Sequence, residues 1–235
     1  MSCPRPYIKQ NWRKMTVTII VFTLNEIEGV RVTLPRIKKE WYDQIIIVDG
    51  GSTDGTIEYA QQQGFDVFVQ SKPGISTAFR EALSRCTSDI VVMFAPDGNS
   101  VPEDIPALVN TVSQGYDIAI GSRYYNGAKS ADDDLITSFG NWMFTTLFNV
   151  LFGTRIKDVL NMYRAYRVDM LKKLDISTDL DSWGTQILAQ AVRLRYKYIE
   201  IPSEEPKRIG GTRKMQPLKN GWMELKTILF EFFRK

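Results

Sequence analysis

What most limits the fold open to this chain is an alternation, repeated through its first half, of short apolar runs and longer helical patterns. The runs lie at 17–22, 44–48, 65–70 and 90–94, with 117–122 as a fifth. The first, second and fourth are almost continuously apolar, so those strands are covered on both faces, as central parallel strands are. Helical patterns fill the gaps at 28–41, 56–63, 75–86 and 102–114. Strand, crossover helix, strand is the order of a parallel sheet, and the expected class is α/β and Rossmann-like, mostly parallel, with helices on both faces. For the last of these helices, Ser100 offers a capping hydroxyl, and Pro102, Glu103 and Asp104 suit a first turn.

The second half reads differently. A Phe/Trp-rich helix is expected at 137–152, a strand at 162–166, a helix at 185–194 and a strand at 196–201. A loop rich in glycine and charge, 202–216, then leads to an amphipathic helix at 218–233. The organisation expected is an N-terminal extension, 1–15, one domain, 16–217, and a C-terminal helix, 218–235.

The chain of 235 residues contains no histidine, which excludes Ser-His-Asp and Cys-His nucleophiles and imidazole metal sites. Chemistry must rest on carboxylates, amides, hydroxyls and cations. Cys3 and Cys86 lack disulfide-framework or zinc spacing, which suits a reducing cytoplasm. A net charge of +3 is too small to suggest nucleic acid, although Lys207, Arg208, Arg213, Lys214 and Lys219 cluster late. Residues 1–15 lack the apolar core of a signal peptide, and no later stretch approaches the roughly 20 apolar residues of a membrane span. The expected setting is cytoplasmic, soluble or at the cytoplasmic face of a membrane.

Polar groups collect just after the strands, at the carboxyl edge where open α/β sheets bind ligands. Thr23-Leu24-Asn25-Glu26 follows the first strand, the run from Asp49 to Thr56 the second, and Pro96-Asp97-Gly98-Asn99-Ser100 the fourth. Asp54 or Thr56 suits capping of the next helix, whereas Asp49 ends a strand and is placed to accept from a base or ribose. Asp97 and Asn99, two apart, read either as turn residues or as oxygen ligands of one hard cation on a diphosphate.

Seven segments in order then resemble family 2 glycosyltransferases of the GT-A fold, within them the polyprenyl-phosphate (dolichyl-phosphate) mannosyl- and glucosyltransferase-like group. They are V-F-T-L-N-E (21–26), I-V-D-G-G-S-T-D-G-T (47–56), K-P-G-I-S-T-A (72–78), A-P-D-G-N-S-V-P-E (95–103), G-S-R-Y (121–124), Y-R-A-Y-R (163–167) and R-I-G-G-T-R-K-M (208–215). The resemblance implies an inverting transfer of a sugar from a nucleoside-diphosphate sugar to a polyprenyl phosphate. It puts Thr23, Asn25, Glu26, Asp49, Asp54 and Lys72 around the nucleotide, and Mg2+ or Mn2+ at Asp97 and Asn99. The family's Asp-x-Asp pattern is half present, since Ala95 stands at its first position. Arg208, Arg213 and Lys214 fall in the segment that closes over the donor, where cations neutralise the leaving diphosphate. A solvated basic loop is the plainer alternative.

Arg123 and Arg164 match basic positions suited to an acceptor phosphate, with structural ion pairing as the alternative. A hydroxyl acceptor on a glycan or small molecule would instead need a base, for which Asp158 is a candidate. Asp132-Asp133-Asp134 stands where the resembling group commonly has basic residues; it reads as a helix start or as a feature of a hydroxyl-acceptor site. A non-catalytic nucleotide-sugar-binding protein is a further alternative. Trp142, Phe144, Leu147 and Phe148, and Trp222, Leu225, Leu229, Phe232 and Phe233, form apolar stripes that usually mean core. For the last helix, membrane contact or homo-oligomer formation is the sharper reading.

Overall fold

Seven strands, β1 (Val17–Thr23), β2 (Gln44–Asp49), β3 (Asp66–Val69), β4 (Ile90–Phe94), β5 (Ile118–Ser122), β6 (Arg164–Arg167) and β7 (Tyr198–Pro202), form one sheet ordered β3-β2-β1-β4-β6-β5-β7. The structure is a computed structural model and describes residues 15–177, 182–210 and 216–234. Strand β6 runs antiparallel to β4 and β5, while β1–β2, β1–β4, β2–β3 and β5–β7 pair parallel. The order reverses at β1, which lies between β2 and β4. The ends of β1 and β4 therefore flank the crevice that such a switch point opens.

Eight helices, α1 (Ile27–Thr33), α2 (Thr56–Gln62), α3 (Ile75–Arg85), α4 (Ile105–Ser113), α5 (Leu135–Phe152), α6 (Val168–Leu171), α7 (Trp183–Arg193) and α8 (Pro217–Phe233), are among the described residues. Alternation along β1 assigns them to faces. Val17, Ile19 and Val21 join Val30 of α1, Ala60 of α2 and Leu108 of α4 in one core. Ile20 joins Phe79 of α3, Phe148 of α5, Ile187 of α7 and Ile228 of α8 in the other. A strand's side chains alternate between faces, so apolar residues at successive positions need a helix layer on each side.

Three expectations change. The helix expected at 28–41 ends at Thr33 and gives way to 3-10 turns at Leu34–Arg36 and Lys39–Trp41. Pro35 cannot donate to the carbonyl four residues back. Ser100 is buried and caps nothing, because Pro102–Asp104 is itself a 3-10 turn that precedes α4. Helix α5 starts two residues before the expected 137, with Asp134 as its N-cap accepting the Thr137 amide at 2.7 Å.

Helix α5 is long and apolar enough, by length and composition, to cross a membrane, at 18 residues with mean hydropathy 1.2. The sequence expectation that no stretch approaches such a span is corrected to that extent. It packs on the core through Phe144, Thr145 and Phe148 and leaves Leu135, Phe139, Trp142 and Val150 exposed. Helix α8 is tied to α7 by Glu231, whose buried carboxylate accepts from the Gln186 and Gln190 amides at 2.8 and 3.0 Å.

Candidate active site

The loops after β1 and β2 are stitched into one wall. Asn25 takes a left-handed φ of 50°, tolerable for asparagine, and its Oδ1 accepts the Thr53 amide at 2.8 Å. The Ser52 hydroxyl accepts the Asn25 amide, and Thr56 Oγ1 accepts that of Glu26. Asp54 accepts from the Thr56 amide at 3.0 Å and the Ile27 amide at 3.1 Å, serving the starts of both α2 and α1. Burial opposes ionisation of Asp54, but the Thr56 hydroxyl and these amides outweigh it and hold its carboxyl below the ordinary value.

Asp49 does not fill its expected role. Its carboxylate is fully buried and accepts from Thr23 Oγ1, the Gly51 and Ser52 amides and Ser52 Oγ, at 2.6, 2.7, 2.6 and 2.7 Å. Two oxygens accept about four hydrogen bonds, so this residue is spent on the turn and has no capacity for a base or ribose. Thr23 is buried with it and serves the same turn.

Across the crevice, Asp97 leaves the end of β4. Helix α1 packs directly on that exit, because a Cβ on Gly29 would lie 2.1 Å from the Pro96 carbonyl oxygen. This close approach sets Glu26 opposite Asp97. Arg208 joins them, donating from Nη1 to Asp97 Oδ2 at 2.7 Å and from Nη2 to Glu26 Oε1. The segment carrying Arg208 is seated on the same turn, with the Ile209 amide on the Asp97 carbonyl at 2.7 Å and Asn99 Nδ2 on the Pro206 carbonyl at 2.9 Å. A pocket of about 330 Å³ opens beside Asp97 and Asn99, walled by Phe22, Trp183 and Glu205.

Arg123, at the end of β5, reaches the far side of this pocket. Asp158 accepts from its Nε at 2.7 Å, its Nη2 at 2.8 Å and its backbone amide at 3.0 Å. Glu205 and Asp133 approach Nη1 less closely, at 3.3 and 3.8 Å. Burial works against the guanidinium charge, but Asp158 outweighs it and Arg123 stays charged. Arg123 and Leu160 also line a second, largely apolar groove of about 690 Å³ between α5 and α8, walled by Phe144, Leu147, Trp222 and Leu225.

A sheet with this switch point, and with carboxylates, a guanidinium and a pocket at its carboxyl edge, fits a nucleotide-sugar site. The model of Glycosyl transferase family 2 matches residues 18–175. The chain belongs to this family. It is similar to a polyprenol monophosphomannose synthase from Mycolicibacterium smegmatis, 31% identical over 84% of this chain and 80% of that one. An undecaprenyl-phosphate mannosyltransferase from Micrococcus luteus is 29% identical over 86% and 88%. Among solved structures, a glucosyl-3-phosphoglycerate synthase from Mycobacterium tuberculosis, in complex with Mn2+, uridine diphosphate and phosphoglyceric acid, aligns with a TM-score of 0.74. That likeness spans 94% of this chain and 79% of the other at 20% identity and shows the fold, GT-A. The same synthase is also solved with Mg2+ and uridine diphosphate. The chain is thus an enzyme, a hexosyltransferase.

In this glycosyltransferase the expected residues divide. Asn25, Glu26, Asp54, Asp97, Asn99, Arg123 and Arg208 come together at the crevice or its rim. Lys72 is exposed on the loop before α3. Arg164 is not a phosphate ligand: it is 0% exposed and donates to the Gly184 and Val159 carbonyls beneath the pocket. Asp158 is not a free base, since it is 0% exposed and committed to Arg123. Arg213 and Lys214 lie outside the described residues.

The acidic run has three separate duties. Asp132 accepts the Arg208 amide at 3.2 Å, Asp133 accepts from Tyr124 Oη, and Asp134 caps α5. Glu205 was missed in the sequence, where the one signal was a pair of glutamates, 204 and 205, in an otherwise basic loop. Burial raises its carboxyl above the ordinary value and Asp133 adds to that, while Arg123 and Ser130 pull the other way.

The glycosyltransferase has two carboxylates, Glu26 and Asp97, whose hard oxygens suit Mg2+ or Mn2+ and already hold a cation, the Arg208 guanidinium. Among the described residues no group of three or more acidic, cysteine or histidine side chains forms a metal site. A bound diphosphate would have to complete such a shell.

Proposed function

We propose that this hexosyltransferase moves a sugar, with inversion, from a nucleoside-diphosphate sugar to a polyprenyl phosphate. The observation that carries this reading is Arg123, which borders both the pocket at Asp97 and the apolar groove between α5 and α8. A polyprenyl chain would lie in the groove with its phosphate at Arg123 Nη1, the edge that Glu205 and Asp133 hold least closely. An acceptor phosphate oxygen attacks the anomeric carbon, the bond from that carbon to the β-phosphate oxygen breaks, and the nucleoside diphosphate departs. A phosphate is already anionic and needs no base, consistent with the commitment of Asp158 to an ion pair.

Asn25, Glu26 and Ser52 would border the nucleotide, and Arg208 would meet the diphosphate. Asp97, with the diphosphate, would hold Mg2+ or Mn2+, which when bound supplies charge neutralisation to the leaving group. Trp142 and Trp222, exposed at 62% and 68%, would rest at the membrane interface, on its cytoplasmic face, and bring the groove to the lipid. The test is transfer of labelled hexose from a panel of uridine and guanosine diphosphate sugars to synthetic polyprenyl phosphate in detergent. Lipid-linked label supports the reading, and donor turnover with every acceptor except polyprenyl phosphate overturns it.

A second reading keeps the donor and takes a hydroxyl acceptor. It is favoured by three carboxylates, Asp133, Asp158 and Glu205, around the single Arg123, and by the raised carboxyl of Glu205 at the pocket wall. That reading requires Glu205→Gln to abolish transfer, whereas a phosphate acceptor leaves transfer largely intact.

A further inference from the structure

The cation on Asp97 and Glu26 belongs to the chain itself. Arg208 is placed there by a built contact, not by one long side chain reaching out. Three backbone-anchored hydrogen bonds hold its segment: Ile209 amide to Asp97 carbonyl, Asn99 Nδ2 to Pro206 carbonyl, and Arg208 amide to Asp132 Oδ1. The chain also makes room for it at Gly98, where φ is 93° and an added Cβ would lie 2.6 Å from the Ile209 side chain. The guanidinium itself is largely buried between the two carboxylates, at 17% side-chain exposure.

A guanidinium and a divalent ion cannot occupy the same oxygens of Asp97 at once. A diphosphate, on the other hand, offers Arg208 several anionic oxygens in bidentate geometry, where Asp97 and Glu26 each give it a single oxygen. We propose that Arg208 is the internal occupant of the cation subsite and couples the two ligands of the donor site. In its resting state it fills the place of the metal on Asp97. When a nucleoside diphosphate draws it away, Asp97 is released to a divalent ion. Metal and nucleotide then bind as a pair, because each favours the same state, the one with Arg208 off Asp97. The ion's affinity in the absence of nucleotide is lowered by the fraction of molecules in which Arg208 has left.

The inference rests on the donor reading above, and its test separates the two. Mn2+ binding is measured by titration calorimetry, with and without saturating uridine diphosphate, for wild type, Arg208→Gln and Arg208→Lys. Arg208→Gln is expected to bind Mn2+ alone about tenfold more tightly, within the ~5- to 150-fold span of ordinary coupling. The factor by which uridine diphosphate tightens Mn2+ is expected to shrink by the same fold, since both quantities read one equilibrium. Arg208→Lys keeps a cation and should stay near wild type, and Asp97→Asn in the Arg208→Gln background should remove the tight site. Unchanged or weaker Mn2+ binding in a folded Arg208→Gln protein overturns the proposal, as does tightening with no loss of coupling. The titration with Mn2+ alone remains decisive even if uridine diphosphate fails to bind wild type, which would count against this donor alone.

Discussion

Arg208 donates from Nη1 to Asp97 at 2.7 Å, joining residues 111 positions apart. The loop that follows β7 is thereby closed onto the exit of β4, and donor-site electrostatics depend on how firmly it sits. Gly98 is the weak point for substitution, with its φ of 93° and the Ile209 side chain in the space a Cβ would need. Gly98→Ala is expected to cost about 1–3 kcal/mol in backbone strain. Limited proteolysis should then cut near residue 208 faster than in wild type.

Asp97→Asn removes the charge that this edge of the sheet presents to Arg208 or to a metal. Transfer should fall by about 10²–10³ in kcat, the usual effect of losing one electrostatic contact to the reacting groups. The melting temperature should fall by only about 2–4 °C, the equivalent of about 1 kcal/mol, since Arg208 keeps Glu26 as a partner. Steady-state kinetics beside a thermal melt checks both halves.

The Arg123–Asp158 pair should behave in the opposite way. Asp158→Asn leaves a buried guanidinium without its close partner, and about 3–5 kcal/mol of stability should be lost. Urea denaturation measures this. A variant that kept wild-type stability but lost transfer would instead mark Asp158 as a base.

Glu205 sets a pH dependence of definite sign. Its folded-state carboxyl lies above the ordinary glutamate value because of burial, so the folded protein holds the proton more tightly than the unfolded chain. The resulting stability is fully present below the ordinary value and is lost as pH rises through the raised one. Relative to Glu205→Gln, wild type should lose stability as pH rises from about 4 through that window, and melts of both proteins between about pH 4 and 8 would show it.

Trp142 and Trp222 are exposed on neighbouring helices that wall the apolar groove. Replacing both by alanine should change stability by no more than about 0.5 kcal/mol per site. Co-sedimentation with anionic liposomes should drop several-fold. Retained sedimentation would remove these helices from the membrane-contact reading.

The sequence by itself determined the sheet, because short, nearly continuous apolar runs at 17–22, 44–48 and 90–94, alternating with helical patterns, fit strands covered on both faces. It also located the edge that carries Asn25, Glu26, Asp54 and Asp97, since these residues follow the strands directly and a parallel sheet brings such ends together. A helix start within the run Asp132 to Asp134 was readable from local capping chemistry, although which of the three aspartates caps it was not. Pro35 could have shortened the first helix in the same way.

Only the tertiary structure decided which charges meet. Asp49 and Arg164 look like ligands in the sequence because their types and positions suit phosphate or ribose. Folding instead surrounds Asp49 with four donors and turns Arg164 onto the carbonyls of Val159 and Gly184. Asp158 meets Arg123 and Glu205 enters the pocket by the same long-range packing, across 35 and 82 positions of chain. Hydrophobic periodicity is a local property that survives in a string of residues. The pairing of buried charges depends on distances that exist only once the two faces of the sheet are covered.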